Sequence, residues 1–230
     1  MSKTHFILVI PDTHDPFTHP KRDKFLGVLK REFRPEHVVH LGDMFDFASA
    51  GRWEKDPDGY SQCAEIEAGR ESIKTMIELF PRMRICFGNH DLRVNKDAFR
   101  SGISNKWVRD MREIMSLPKN WQWNMAWTID NINFEHGDGF SGPQGALNAA
   151  KQRRMSTVIG HLHTTPGVLY SNNGRNTIWG MNAGSLINQE AYCFKYAAGS
   201  KEKACAGAGV VEIHPSGLSV PQWIPLDSVV

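Results

Sequence analysis

Apolar residues along this chain follow two rhythms in alternation. Phe6 to Ile10 is an unbroken, β-branched apolar run, as a strand buried on both faces requires. From Lys21 to Arg34 the apolar positions Phe25, Leu26, Leu29 and Phe33 recur at helical spacing. His37 to Leu41 reads as a second strand. Gln62 to Phe80 reads as a long helix, carrying Ile66, Ile73, Met76, Ile77 and Phe80 on one stripe. Met83 to Phe87 is a third strand, and Lys96 to Met115 is a further helix. Strands alternating with helices imply parallel pairing and right-handed crossovers.

After Leu117-Pro118 the rhythm changes. Trp121 to Trp127 alternates, and Ile129 to Glu135 continues beyond Asp130-Asn131, which predicts a hairpin. The tryptophans at 121, 123 and 127 have the spacing of a half-buried strand. Pro143 to Arg154 is a short helix with proline near its start, and Thr157 to Ile159 is a buried strand. Two more hairpins follow. One joins Val168–Tyr170 to Thr177–Met181, and the other joins Gly209–His214 to Leu218–Ile224 across Pro215-Ser216-Gly217. The Ala- and Lys-rich stretch Tyr192 to Gly207 reads as a loop. The expected α/β (α+β) architecture is a βαβαβ half and a β-rich half, packed as two sheets with helices outside, in one domain over residues 1–230.

Composition narrows the class without naming a function. With 230 residues, 40% hydrophobic and 23% charged, the chain has enough material for one filled core. A formal charge of +2 argues neither for nor against nucleic acid. Cys63, Cys86, Cys193 and Cys205 form no C-x-x-C pair, so reduced thiols are expected. The apolar run after Met1 is too short for a signal peptide or a membrane span. The sequence therefore points to a cytoplasmic protein without membrane contact.

Five short segments carry the chemistry. They are Asp12-Thr13-His14, Gly42-Asp43-Met44-Phe45-Asp46, Gly88-Asn89-His90-Asp91, His136-Gly137-Asp138 and Gly160-His161-Leu162-His163. Asp12, Asp43 and Asn89 fall at or just past the carboxyl ends of strands, where parallel α/β folds collect ligands. Together the segments supply enough Asp, His and Asn for two metal ions. Mixed imidazole and oxygen donors suit manganese, iron, zinc or nickel better than calcium. Glycines at 42, 88, 137 and 160 leave room for backbone to pass close to ions. His40 lies within a strand and reads as a core histidine. Asp91 and Asp138 stand beside donors and read as their hydrogen-bond supports.

The ordered blocks D-x-H, G-D-x-x-D, G-N-H-D, H-G and G-H-x-H resemble the calcineurin-like metallophosphoesterase superfamily, over residues 12 to about 185. Asn182-Ala183-Gly184-Ser185 also resembles the N-x-G-S segment of phosphodiesterase-type members. The resemblance implies a four-layer αββα sandwich of two mixed sheets packed face to face. It implies one metal held by Asp12, His14, Asp43 and His163, and a second by Asp43, Asn89, His136 and His161. Asp43 would bridge them. A hydroxide between the ions would attack phosphorus, His90 would protonate or stabilise the leaving oxygen, and Asp46 would orient His90 and raise its pKa.

Substrate choice is less legible. Phe47-Ala48 and Asp91 replace the Arg-Gly and Glu of the phosphoprotein phosphatase subgroup, which favours a nuclease- or phosphodiesterase-like member. The expected substrate is a phosphate ester, a nucleotide or nucleic acid included. A phosphomonoesterase or protein phosphatase is the alternative, and a non-catalytic scaffold on the same fold is a further one. Arg52 and Arg93 are candidate substrate-binding residues. Phe47 to Gln62, with Arg52, Trp53, Lys55 and Tyr60, is placed to close over the site. For Arg100, Lys106, Trp107 and Arg109 two readings stay open: phosphate binding with base stacking, or a surface helix with Trp107 packed inward.

Overall fold

The computed structural model describes residues 3–51, 56–191, 193–194 and 201–230. The first half runs β1 (His5–Ile10), α1 (Arg22–Phe33), β2 (His37–His40), α2 (Gln62–Ser72), α3 (Lys74–Leu79), β3 (Met83–Cys86), α4 (Arg93–Arg100), α5 (Met111–Ile114) and β4 (Trp121–Asn124). The second runs β5 (Ala126–Ile129), β6 (Ile132–Glu135), α6 (Gly145–Arg153), β7 (Thr157–Ile159), β8 (Gly167–Asn172), β9 (Thr177–Asn182), β10 (Gly207–Ile213) and β11 (Ser219–Pro225).

These strands make two mixed sheets, ordered β11-β10-β1-β2-β3-β4 and β5-β6-β7-β9-β8. β1 to β4 are parallel neighbours, while β10 joins β1 antiparallel. Period-two alternation sorts β1 into both cores. Leu8 and Ile10 meet Phe25, Leu26 and Leu29 of α1 together with Ile73, Met76 and Phe80. Ile7 and Val9 instead join Val39, Leu41 and Cys86 against Ile129, Phe134, Val158 and Met181 of the second sheet. Ala146 and Ala149 of α6 pack on Ile159 from the far side. Helix, sheet, sheet and helix are thus stacked in four layers.

Three expected elements are divided, each for a visible reason. The helix foreseen from Gln62 to Phe80 breaks at Ile73, whose φ of −87° and ψ of −4° depart from helical values just where Arg22 Nη2 donates to Ser72 O at 2.7 Å. The helix foreseen from Lys96 to Met115 stops at Gly102, whose φ of +75° is left-handed. New turns then start where Ser104 and Asp110 side chains accept from the amides of Lys106 and Arg112. The strand foreseen from Trp121 to Trp127 is shared between sheets. Trp121–Asn124 pairs with β3, whereas Ala126–Ile129 pairs with β6. Asn124 Oδ1 takes the Met125 amide at 2.9 Å and ends the first ladder. The hairpin is therefore β5–β6, closed by Asp130 and Asn131 at φ 50° and 60°. Trp121 is buried, and Trp123 and Trp127 pack against the cores.

All four cysteines are free. Among the described residues, no helix is long and apolar enough to cross a membrane.

Candidate metal centre

The carboxyl ends of β1, β2 and β3 lead into the loops bearing Asp12, His14, Asp43, Asp46, Asn89 and His90. β6 and β7 lead into His136 and into His161 and His163. The loops bend sharply: His14, Asp43 and His161 have φ of 49°, 46° and 62°. Left-handed backbone at non-glycine residues is costly and marks sites where the surrounding structure fixes side-chain direction. Two glycines make room for the donors. A Cβ on Gly88 would sit 2.1 Å from Asp43 Oδ1, and one on Gly160 would sit 2.2 Å from Asp12 Oδ1.

The side chains converge in three overlapping groups: Asp12/His14/His163, His14/Asp43/His90 and Asp43/His136/His161, each with its ligand atoms within 4.8 Å of one another. His163 Nε2 lies 2.9 Å from Asp12 Oδ2. Asp43 Oδ2 lies 3.7 Å from His14 Nε2 and 3.3 Å from His136 Nε2. His136 Nε2 also faces Asn89 Oδ1 at 3.0 Å and His161 Nδ1 at 3.2 Å. All seven sequence-predicted ligands are thus drawn to one rim.

This arrangement fits divalent cations. His14 Nδ1 donates to Asp46 Oδ2 at 2.8 Å, which leaves Nε2 unprotonated. That Nε2 is buried, has no hydrogen-bond partner among the described residues, and lies 4.0 and 3.7 Å from the carboxylates of Asp12 and Asp43. His136 Nδ1 similarly donates to Leu41 O at 3.1 Å and points Nε2 at the cluster. Burial opposes charge on His136, yet Asp43 and Asp12 outweigh it and raise the imidazole to about 10. Burial also opposes charge on Asp43, but His136 and His90 hold its carboxyl well below the ordinary range. The pocket therefore demands positive charge, which a proton or a metal ion supplies.

Asp46 has a second duty besides the one expected of it. Its carboxylate makes its short bond to His14, while Oδ1 stands 3.6 Å from His90 Nδ1. His90 Nδ1 instead donates to the Asp46 main-chain oxygen at 3.0 Å. Asp46→Asn should therefore weaken metal affinity by roughly 10- to 100-fold, because the carboxylate fixes a donor histidine's tautomer. Metal titration of the purified variant reads this directly; unchanged affinity together with slower turnover would assign Asp46 to His90 alone.

Burial lowers the pKa of His90, but the charges of Asp43 and Asp46 outweigh it and the net shift is upward. Arg93 opposes them: Nη2 donates to His90 Nε2 at 2.9 Å, and Nη1 reaches Asp46 O at 3.0 Å and Phe47 O at 3.2 Å. Arg93 is thus at the centre. Arg52 lies outside the described residues, as do Trp53 and Lys55 of the segment expected to close over the site.

Three supports, Asn182, Glu65 and Arg22, were not evident from spacing, whereas Asp91 and His40 were. Asn182 Nδ2 donates to Leu162 O and Thr165 O, both at 2.7 Å, and so clamps the loop carrying His161 and His163. Buried Glu65 accepts from Ala48 N and Ser49 N at 2.7 and 2.9 Å, which shapes the chain after Asp46. Buried Arg22 pairs with Asp15 beneath the first loop. Asp91 accepts from Gly88 N at 2.9 Å and Phe45 N at 3.2 Å, and burial beside Asp43 raises it to about 7. Asp138, read from the sequence as a support like Asp91, is instead exposed, beside a cavity of about 430 Å³ next to His136. His40 is buried, bonds Thr13 Oγ1 at 3.2 Å, and is pushed down to about 3 by burial, as suits a neutral core histidine.

Residues 7–185 match the family model described as calcineurin-like phosphoesterase. The Gene 54 protein of Mycobacterium phage D29 is 26% identical over 249 residues, covering 96% of this chain and 93% of its own. That of Mycobacterium phage L5 is 23% identical over 243 residues, with the same coverage. Among solved structures, Vacuolar Protein Sorting 29 from Cryptosporidium parvum aligns with TM-score 0.48 and 12% identity, over 97% of this chain and 98% of its own. The E. coli phosphoesterase YfcE aligns with TM-score 0.44 and 18% identity, over 96% and 99%.

Proposed function

Because this chain belongs to the calcineurin-like phosphoesterase family, we propose that it is a metal-dependent hydrolase of phosphodiesters of a nucleotide or nucleic-acid kind. The observation that carries this reading is the convergence of three overlapping Asp/His groups on one rim. Asp12, His14, Asp43 and His163 would hold one divalent ion, and Asp43, Asn89, His136 and His161 the other. The nitrogen and oxygen donors suit manganese, with iron, zinc or nickel as further candidates. When bound, the ions supply Lewis-acid charge to phosphate oxygens and make a water molecule more acidic.

The chain's own residues do the rest. Arg93 presents a guanidinium beside His90, where an arriving phosphate oxygen can take over its donors. That exchange frees His90 Nε2 to carry a proton toward the leaving oxygen, while the Asp46 carbonyl holds Nδ1. Asp43 accepts from His90 N at 2.7 Å, which ties the proton donor to the metal-binding loop.

Parallel assays with bis-p-nitrophenyl phosphate and p-nitrophenyl phosphate test the reading. With manganese added, the diester should be hydrolysed faster, a chelator should abolish turnover, and manganese should restore it. Much faster hydrolysis of the monoester would convert the assignment to a phosphomonoesterase. Absence of both bound metal and turnover would leave a scaffold.

A further inference from the structure

The segment that follows Gly88-Asn89-His90-Asp91 is not packed as a core element. No residue of α4 or of the 3-10 turn Asn105–Trp107 is buried. Trp107 is 85% exposed and Phe99 74%, which rules out the inward-packed tryptophan. Exposed rings set among cations are a feature that nucleic-acid-binding surfaces use. The same segment is cationic. Arg93, Lys96 and Arg100 lie at i, i+3 and i+7, so they share one face of α4. That face begins at the Arg93 contact with His90 and runs about 10 Å away from it. Lys106 and Arg109 flank Trp107. Two acids dilute the charge. Asp97 pairs with Arg100 at 2.8 Å, and Asp110 is held by Arg112. Exposed pairs of this kind are weak and exchange readily for phosphate.

We infer that Arg93 to Arg109 is a platform for a single-stranded nucleic acid, with Phe99 and Trp107 stacking bases and Lys96, Arg100 and Lys106 following phosphates toward His90. Interleaved rings and cations match a polyanion with flat, unpaired bases. A second copy of this surface would oppose like charges, which disfavours self-association. The inference names the substrate class of the diesterase proposed above and rests on it.

The test is fluorescence anisotropy of a labelled oligothymidylate without added metal, beside manganese-dependent hydrolysis of bis-p-nitrophenyl phosphate. Trp107→Ala should weaken oligonucleotide binding roughly five- to hundredfold, and Trp107→Phe should retain most of it. Lys96→Ala should reduce the slope of log affinity against log salt by about 0.7. Hydrolysis of the small diester should be unchanged in all three, since none of these side chains touches the cluster. If the wild type cleaves the small diester but binds no oligothymidylate, or binds it equally with Ala at 107, the platform is overturned and the diesterase stands. If binding depends on Trp107 but no diester is cleaved, the platform stands as a nucleic-acid-binding surface, and its role in presenting substrate falls with the catalytic reading. A wild-type dimer in sedimentation that Trp107→Ala converts to monomer would show the surface to be self-associating and also overturn the platform.

Discussion

Asp43→Asn should remove about three orders of magnitude of phosphodiesterase turnover while leaving the protein folded. Two of the three donor groups share this carboxylate, as its proposed role between the two metal positions requires. The substitution is chosen for what it retains. Oδ1 accepts from His90 N at 2.7 Å, a bond that an amide oxygen can also make. The loss is then confined to the charge at Oδ2, which faces His14 and His136 at 3.7 and 3.3 Å. Lewis-acid stabilisation by bound metal is worth several kcal/mol, and each 1.36 kcal/mol is tenfold in rate, which sets the expected magnitude. Metal analysis should show fewer ions per chain than in the wild type, and circular dichroism should be unchanged. A variant that keeps both its full metal content and its turnover would overturn the proposed bridging role of Asp43.

His90→Ala should also lower turnover, roughly 10²- to 10⁴-fold, but should leave metal content unchanged. The geometry makes this a sharp test, because His90 Nε2 lies 4.0 Å from Asp43 Oδ2 and belongs to one of the donor groups. Loss of metal in the variant would make His90 a ligand instead of a proton donor. The substrate dependence of the defect gives a second readout. A ribose or alkyl leaving oxygen needs the proton, whereas p-nitrophenolate leaves without it. The loss should therefore be larger for a dinucleotide than for bis-p-nitrophenyl phosphate; an equal loss on both would place the contribution of His90 elsewhere in the reaction.

The legibility of the site follows from where its information is stored. Asp12, Asp43 and Asn89 could be read because each follows a strand whose apolar run is visible locally. The rule placing ligands at strand ends then brings them to one rim. Asn182 had only the resemblance of its segment to suggest importance, and its clamp on Leu162 and Thr165 became visible in three dimensions. Glu65 and Arg22 carried no signal at all. Each looks like an ordinary polar residue of an amphipathic helix, yet both are buried, Glu65 bonded to the chain just after Asp46 and Arg22 to the end of α2.

The chain by itself determined the alternation of strands and helices, the order of the five donor segments and the membership that follows from them. Those features depend on local period and on residue types at short spacing. The folded molecule decided which partner each group meets. It gave the short bond of Asp46 to His14, split Trp121 to Ile129 between two sheets, broke the long helix where Arg22 captures the Ser72 carbonyl, and turned Trp107 outward. The physical reason is common to all four. Periodicity records that a position is apolar, but the contact it makes is set by chain-distant segments competing for the same space and the same hydrogen bonds.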